Sequence, residues 1–391
     1  MFKLVKRIFT TILLVTVLAG SVKVQAEPVG DNAEANSTVL THNTLETEKD
    51  VNKEQFSYNI VFEKDVKELI YPVEITQQGI LLTTLEETGD LNYYSIEASL
   101  YEDVECTKGI GRSLYLSSGD QSKLRTTEIK KPGTYYMKLK LSRKYDYNDQ
   151  MQFPITLNLI PNGIREIKKD IIYTAYQDYD NSDGIYKITV NNTGLVTLNI
   201  GFTSENRGSA KITLLNSKKE PISKDAYTYP IANEDGSYSN EIFKYYALAK
   251  GTYYIKVDTS YGLYALQYTF TPVADKSGSS LKKAAPIKLG GSAVKGICTA
   301  SDKTTSVDCF KFTLQKQQEV NITINSKIDG RLKVEICDSS GRTVMFGSTS
   351  ISDGERVLQL KSSGKWSKGT FYIKVFKYDK ESSGSYSIKV K

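Results

Sequence analysis

The sequence predicts an all-β chain built as three tandem antiparallel β-sandwich modules of jelly-roll type, following a signal peptide and a flexible leader. Two observations carry that prediction. The segment Gly-Thr-Tyr-Tyr-Met-Lys-Leu at residues 133–139 returns as Gly-Thr-Tyr-Tyr-Ile-Lys-Val at 251–257 and as Gly-Thr-Phe-Tyr-Ile-Lys-Val at 369–375. The steps are equal, 118 residues each (251 − 133 and 369 − 251), and a solenoid repeat is only about 20–50 residues long, so each copy is a whole domain. Around each copy, short runs alternate apolar and polar residues, the period of a half-buried strand, and no window carries a helical period.

Each module opens on such a run: Tyr-Pro-Val-Glu-Ile at 71–75, Tyr-Lys-Ile-Thr-Val at 186–190 and Phe-Lys-Phe-Thr-Leu at 310–314. A second strand follows at 80–85, 195–200 and 320–324, and a third at 96–100, 210–214 and 332–336. The Gly-Thr-aromatic-Tyr strand comes next, and each copy closes on Ile155, Leu157 and Leu159, on Leu266, Tyr268 and Phe270, or on Tyr386, Ile388 and Val390. Turn residues separate these runs in units of about 110 residues, the size of a two-sheet sandwich that buries alternate side chains. The expected modules are 55–163, 164–276 and 281–391, with Asp-Lys-Ser-Gly-Ser-Ser at 275–280 as a linker open to proteolysis and Pro-Asn-Gly at 161–163 as a turn-like seam.

Residues 1–26 read as a secretory signal peptide. Lys3, Lys6 and Arg7 precede the apolar run 8–18, and Val24, Gln25 and Ala26 suit cleavage before Glu27. The run is shorter than the roughly 20 apolar residues of a membrane helix, and no later stretch approaches that length, so no membrane span is expected. Residues 27–54 are polar and poor in large apolar side chains, the composition of a flexible leader. The 51 basic residues fall to 47 once Lys3, Lys6, Arg7 and Lys23 are removed, against 45 acidic ones, a net charge of only +2 (47 − 45). No basic stripe stands out, which argues against nucleic acid as a partner.

In the third module Ser301-Asp302, Val307-Asp308-Cys309-Phe310, Ser340-Gly341 and the strand at 369–375 follow one another in order. This order resembles the bacterial pre-peptidase C-terminal domain, whose relatives include the collagen-binding modules of bacterial collagenases. The second module shares Asp183, Tyr186 and residues 251–257; the first shares residues 133–139 and the strand spacing, without the Asp beside its opening strand. The resemblance implies a small jelly-roll sandwich that accompanies secreted hydrolases and assists secretion, surface attachment or substrate adhesion, sometimes with bound calcium. It does not imply catalysis, and here no protease domain accompanies the modules.

The single histidine, His42, falls in the leader, so serine or cysteine triads and the His-Glu-x-x-His zinc motif have no positioned base. A pair of carboxylates acting as a glycosidase stays open as a remote alternative. Asp178, Asp180 and Asp183 crowd one loop with Gly184, and Asp302 and Asp308 flank the corresponding loop of the third module. Two readings are open, an oxygen-ligand site for calcium and a solvated acidic turn.

Alternation along the repeated strand sends Tyr136 with Lys138, Tyr254 with Lys256 and Tyr372 with Lys374 to the face opposite the core. Tyrosine offers a large rigid contact surface with a polar tip, which suits ligand binding, and cross-strand packing within the sheet is the competing reading. Cys106, Cys298, Cys309 and Cys337 occupy unlike positions in the modules. A bridge between Cys298 and Cys309 and buried free thiols are both open.

The expected function is that of a secreted, non-catalytic binding protein whose modules attach to an extracellular polymer, protein fibre or polysaccharide, or to a cell-envelope component. The alternative is an accessory or scaffold protein that contacts another secreted protein such as a protease. No cofactor is required in either case, and bound calcium is an open option. The sequence leaves the oligomeric state open.

Overall fold

The computed structural model describes residues 22–23, 56–63, 66–86, 94–117, 120, 122–143, 151–177, 184–202, 210–228, 231–232, 238–259, 262–350 and 354–391. The expected signal peptide, except Val22 and Lys23, and all of the expected leader lie outside the described residues, as do His42, Asp178, Asp180 and Asp183. The described residues form an all-β structure, with one 3-10 turn at Leu281–Lys283. Among them no helix is long and apolar enough to cross a membrane. The chain divides into two compact units, Met1–Gly163 and Ile164–Lys391.

The first unit holds one sandwich. Its front sheet runs Glu68–Ile75, Gly133–Arg143, Tyr94–Tyr101, Gly109–Ser117 in spatial order, with Val22–Lys23 paired to the outer edge. Its back sheet runs Phe56–Phe62, Met151–Pro161, Gly79–Glu86, Ser122–Ile129. Alternation decides which side chains meet between the sheets. Tyr94, Ile96, Ala98 and Leu100 face inward with Tyr135, Met137, Leu139, Phe153 and Ile155, and each intervening residue faces out. Phe62 stacks edge-on against Phe153, with ring centroids 6.2 Å apart.

The second unit holds two sandwiches with the same strand order. The front sheet of the second sandwich runs Gly184–Val190, Gly251–Thr259, Ala210–Leu215, Ala226–Thr228, and that of the third runs Asp308–Leu314, Gly369–Lys377, Leu332–Cys337, Thr343–Ser348. Their back sheets run Tyr173–Gln177, Gly262–Pro272, Gly194–Phe202, Tyr238–Leu248 and Val294–Cys298, Ser383–Val390, Asn321–Asp329, Gly354–Lys361. Pairing is antiparallel except at the front edges, where Arg165–Glu166 lies parallel to Gly184–Val190 and Ala285–Pro286 lies parallel to Asp308–Leu314. In the third core Phe310, Ile322, Ile324, Ile336, Ile373 and Val375 are fully buried, each contributing about 1.5–3 kcal/mol of hydrophobic stabilisation.

The Gly-Thr-aromatic-Tyr signature has a local cause. The hydroxyl of Tyr135 donates to the carbonyl of Lys131 at 2.7 Å, and that of Tyr253 to the carbonyl of Ala249 at 3.0 Å, so the inward tyrosine ties its strand to the turn before it. Phe371 has no hydroxyl. It stacks instead on Trp366, at 4.8 Å between centroids, and on Phe312, at 5.6 Å.

The stretch 275–280, expected as an open linker, is built into the third sandwich. Gly278 exchanges both backbone hydrogen bonds with Cys309, at 3.0 and 2.7 Å, and the Lys276 amide donates to the Lys295 carbonyl at 3.1 Å. Gly278 is buried and lies so close to Lys283 that a Cβ would overlap its carbonyl. Composition marked this stretch as flexible, but its glycine and serines serve close packing and hydrogen bonding.

The second and third sandwiches are joined by hydrogen bonds, apolar packing and an ion pair. The Ala247 carbonyl accepts from the Ala300 amide at 2.7 Å, and the Ala247 amide donates to Ser383 Oγ at 3.3 Å. Ile297 packs with Leu195 and Ala247, and Lys244 pairs with Asp329. Strand Tyr238–Leu248 is covered along its edge by Ile231–Ala232 only at Ser239 and Tyr238, so its neighbour sandwich satisfies the exposed backbone further along.

Candidate functional site

Tyr136 with Lys138, Tyr254 with Lys256 and Tyr372 with Lys374 occupy the outward faces of the three front sheets. Tyr135, Met137 and Leu139, Tyr253, Ile255 and Val257, and Phe371, Ile373 and Val375 are buried on the opposite faces. All six outward side chains are partly exposed. Register sets their neighbours. Tyr136 stands between Pro72 and Tyr101, Tyr254 between Lys187 and Leu215, and Tyr372 between Lys311 and Cys337.

The three faces therefore differ in charge. Lys138 is neutralised by Glu68, with Nζ to Oε2 at 2.9 Å, and that hydrogen bond raises the lysine pKa. Lys140 lies 3.8 Å from the same carboxylate. In the second sandwich Lys219 sits over the Tyr254 ring at 5.8 Å, while Lys187 bonds to Glu166 at 3.2 Å. In the third, Lys374 stands between Cys309 and Glu335, and Glu335 is engaged by Lys333 at 2.8 Å. Lys187 and Lys311 were not singled out from sequence. Their signal was available: each lies one residue after the aromatic of its opening strand and so shares the outward face.

Asp302 and Asp308 are engaged separately. Asp302 Oδ2 accepts from the Thr299 amide at 2.6 Å and closes its own loop. Asp308 has the same strand parity as Phe310, and its Oδ2 accepts from the Tyr386 hydroxyl at 2.5 Å. Ser277 Oγ donates to Asp308 Oδ1 at 3.0 Å, and Cys298 Sγ lies 3.7 Å from Oδ2. Burial, reinforced by the nearby Asp275 charge, pushes the Asp308 carboxyl up to about 6. Among the described residues no group of three or more His, Cys, Asp or Glu side chains is arranged to hold a metal ion.

The second sandwich fills the equivalent position differently. Gly184 begins the opening strand there, Gln177 replaces Cys298, and the hydroxyls of Tyr186 and Tyr264 meet at 2.7 Å. Gln177 donates to the Val257 carbonyl at 2.9 Å and accepts from the Thr259 amide at 3.1 Å. Both polar clusters satisfy buried groups between sheets, where an unpaired polar atom is costly.

Cys298 and Cys309 are free thiols, as are Cys106 and Cys337. Cys298 belongs to the core, whereas Cys309 follows Asp308 and precedes Phe310, so strand parity directs it to the opposite side of the sheet. The two are not bridged in this structure.

Lys377, also overlooked in the sequence, is buried at the end of the repeated strand. Its ammonium, with three N–H donors, lies within hydrogen-bond distance of four backbone carbonyls that share them: Thr299 at 3.3 Å, Ala300 at 2.9 Å, Asp302 at 3.1 Å and Lys380 at 2.8 Å. Burial pulls its pKa down.

No family model matches the chain, and no curated protein matches it. Among solved structures it is similar to the pre-peptidase C-terminal domain of collagenase from Bacillus anthracis, with 18% identity and a TM-score of 0.22 over 31% of this chain and 100% of that one. It is also similar to an insecticidal delta-endotoxin from Bacillus thuringiensis, with 10% identity and a TM-score of 0.19 over 81% of this chain. The chain spans 53% of the length of that toxin.

Proposed function

We propose that the chain is a secreted, non-catalytic binding protein whose tandem β-sandwiches attach to an extracellular polymer or cell-envelope component. One observation carries the reading: a tyrosine and a lysine stand at the same outward position of the same strand in three sandwiches of identical strand order. Three weak sites on one chain act through effective concentration, so avidity for a repetitive polymer exceeds single-module affinity by about 10²-fold. The test is retention of the mature protein on collagen, peptidoglycan and glycan matrices, compared with Tyr136→Ala, Tyr254→Ala and Tyr372→Ala singly and combined. Stepwise loss supports the reading. Full retention by a folded triple variant returns the tyrosines to sheet packing.

A second reading, an accessory protein contacting another secreted protein, draws support from the two most exposed large apolar side chains among the described residues, both on the third sandwich. Phe346 is 74% exposed and Val357 63% exposed, on the edge strands of its two sheets. Exposed apolar side chains of this kind suit a protein partner. Phe346→Ser would weaken capture of such a partner and leave polymer retention unchanged.

A further inference from the structure

Between the second and third sandwiches lies a cleft of about 650 Å³, within the roughly 300–1,000 Å³ range of small-ligand sites, which favour domain junctions. Lys250 and Thr252 line it from the second sandwich, and Ser301, Asp302, Lys380 and Glu381 from the third. Its walls are held in place. Lys377 gathers the carbonyls of the loop that carries Ser301 and Asp302, the Ala300 amide ties that loop to Ala247, and the buried Lys244–Asp329 pair joins the same two sandwiches. A site with fixed walls loses little ordering entropy on binding.

The chemistry of the lining selects the ligand class. Two lysines face two carboxylates, and Lys380 and Glu381 already lie 3.4 Å apart. The lining side chains therefore carry no net formal charge to attract a polyanion or a polycation. The lining comes from turns and strand ends, with no open strand edge on which a peptide backbone could continue a sheet. What remains is a mixed lining: hydroxyl, amide, carboxylate and ammonium groups, able both to donate and to accept, beside the apolar surfaces of Pro221, Ile222 and Tyr253. We infer that this cleft binds a short stretch of a neutral, polyhydroxylated ligand, a glycan segment, held between the two sandwiches. The site is separate from the outward tyrosine faces, and its test is independent of theirs.

The experiment is titration calorimetry of the full mature chain with chitotetraose, cellotetraose and maltotetraose, with tetragalacturonate and a zwitterionic tetrapeptide as the comparison ligands. At least one neutral oligosaccharide is expected to bind. Ser301→Trp, an exposed position whose larger side chain fills the cleft, should weaken it by about tenfold or more, and Glu381→Gln by about two- to tenfold, as a charged acceptor becomes a neutral one. Both variants should keep the wild-type melting temperature, and the triple tyrosine variant should keep wild-type affinity for the oligosaccharide. The inference is overturned if no neutral oligosaccharide binds up to about 10 mM. It also fails if the acidic sugar or the peptide binds more tightly, if folded Ser301→Trp binds as wild type, or if the triple tyrosine variant loses the binding.

Discussion

Lys244 Nζ lies 3.0 Å from Asp329 Oδ1 at the junction of the second and third sandwiches, with the two side chains only 7% and 4% exposed. Such a pair gains little over well-packed apolar residues, but removing one partner strands a buried charge. Lys244→Met is therefore expected to destabilise the unit Ile164–Lys391 by about 3–5 kcal/mol, whereas Lys244→Met combined with Asp329→Leu recovers most of that loss. Denaturant unfolding of the three proteins decides it. A single variant within about 1 kcal/mol of wild type would mean that water reaches the pair.

The same pair shows where sequence reading stops. The inward and outward sets of the repeated strands follow from period-two alternation, so the core residues Ile373 and Val375 and the outward Tyr372 and Lys374 are legible in the chain. Parity also places Asp308 with Phe310 and Cys309 on the opposite face of the same strand. Lys244 falls at a position that alternation assigns to the core, between Ile242 and Tyr246, and its partner is 85 residues away. No local pattern announces that pairing. Lys377 is harder still, because its four partners are backbone carbonyls and carry no residue identity. The linker reading of 275–280 failed for a related reason: Gly and Ser mark flexible chain and tight packing alike.

Asp308 gives a pH-dependent contribution with a definite sign. Its folded pKa of about 6 stands above the ordinary 3.8 because burial disfavours the charged form. The folded chain keeps a proton that the unfolded chain loses between about pH 4 and 6, so this group's contribution is full below that window and declines as pH rises through it. The decline is of order 2 kcal/mol, discounted for the partly exposed side chain. Asp308→Asn, whose amide can still accept from Tyr386 and donate to Ser277, should remove it. Stability of wild type minus variant, measured from pH 3 to 8, should fall through the window. A flat difference would show that the carboxyl titrates near its ordinary value.

Lys377 acts as an internal cation for the loop that docks on Ala247. In Lys377→Met the four carbonyls of Thr299, Ala300, Asp302 and Lys380 lose their common donor, at a cost of about 3 kcal/mol. The effect should be local before it is global. Amide exchange at Ala300, whose N–H bonds to the Ala247 carbonyl at 2.7 Å, should accelerate well beyond that of Ile322 or Ile373 in the core. Equal acceleration at all three would place the role of Lys377 in global stability and not in loop docking.

Gly278 decides whether the second and third sandwiches are joined by open chain or by packed structure. Its two backbone hydrogen bonds to Cys309 extend the pairing at the edge of the opening strand, and Ser277 beside it bonds to Asp275 and Asp308. A Cβ at 278 would overlap the carbonyl of Lys283, and a backbone atom cannot swing aside as a flexible side chain can. Gly278→Ala must therefore displace the stretch 275–284 from the strand edge, with an expected loss of about 1–3 kcal/mol, the usual range for overpacking. Wild-type protein should resist trypsin at Lys276, while the variant should be cut there at temperatures well below global unfolding. Ser279→Ala, on an exposed neighbour, serves as the control and should stay resistant. Cleavage of wild type at Lys276 as fast as the variant would restore the open-linker reading and remove the strap from the third sandwich.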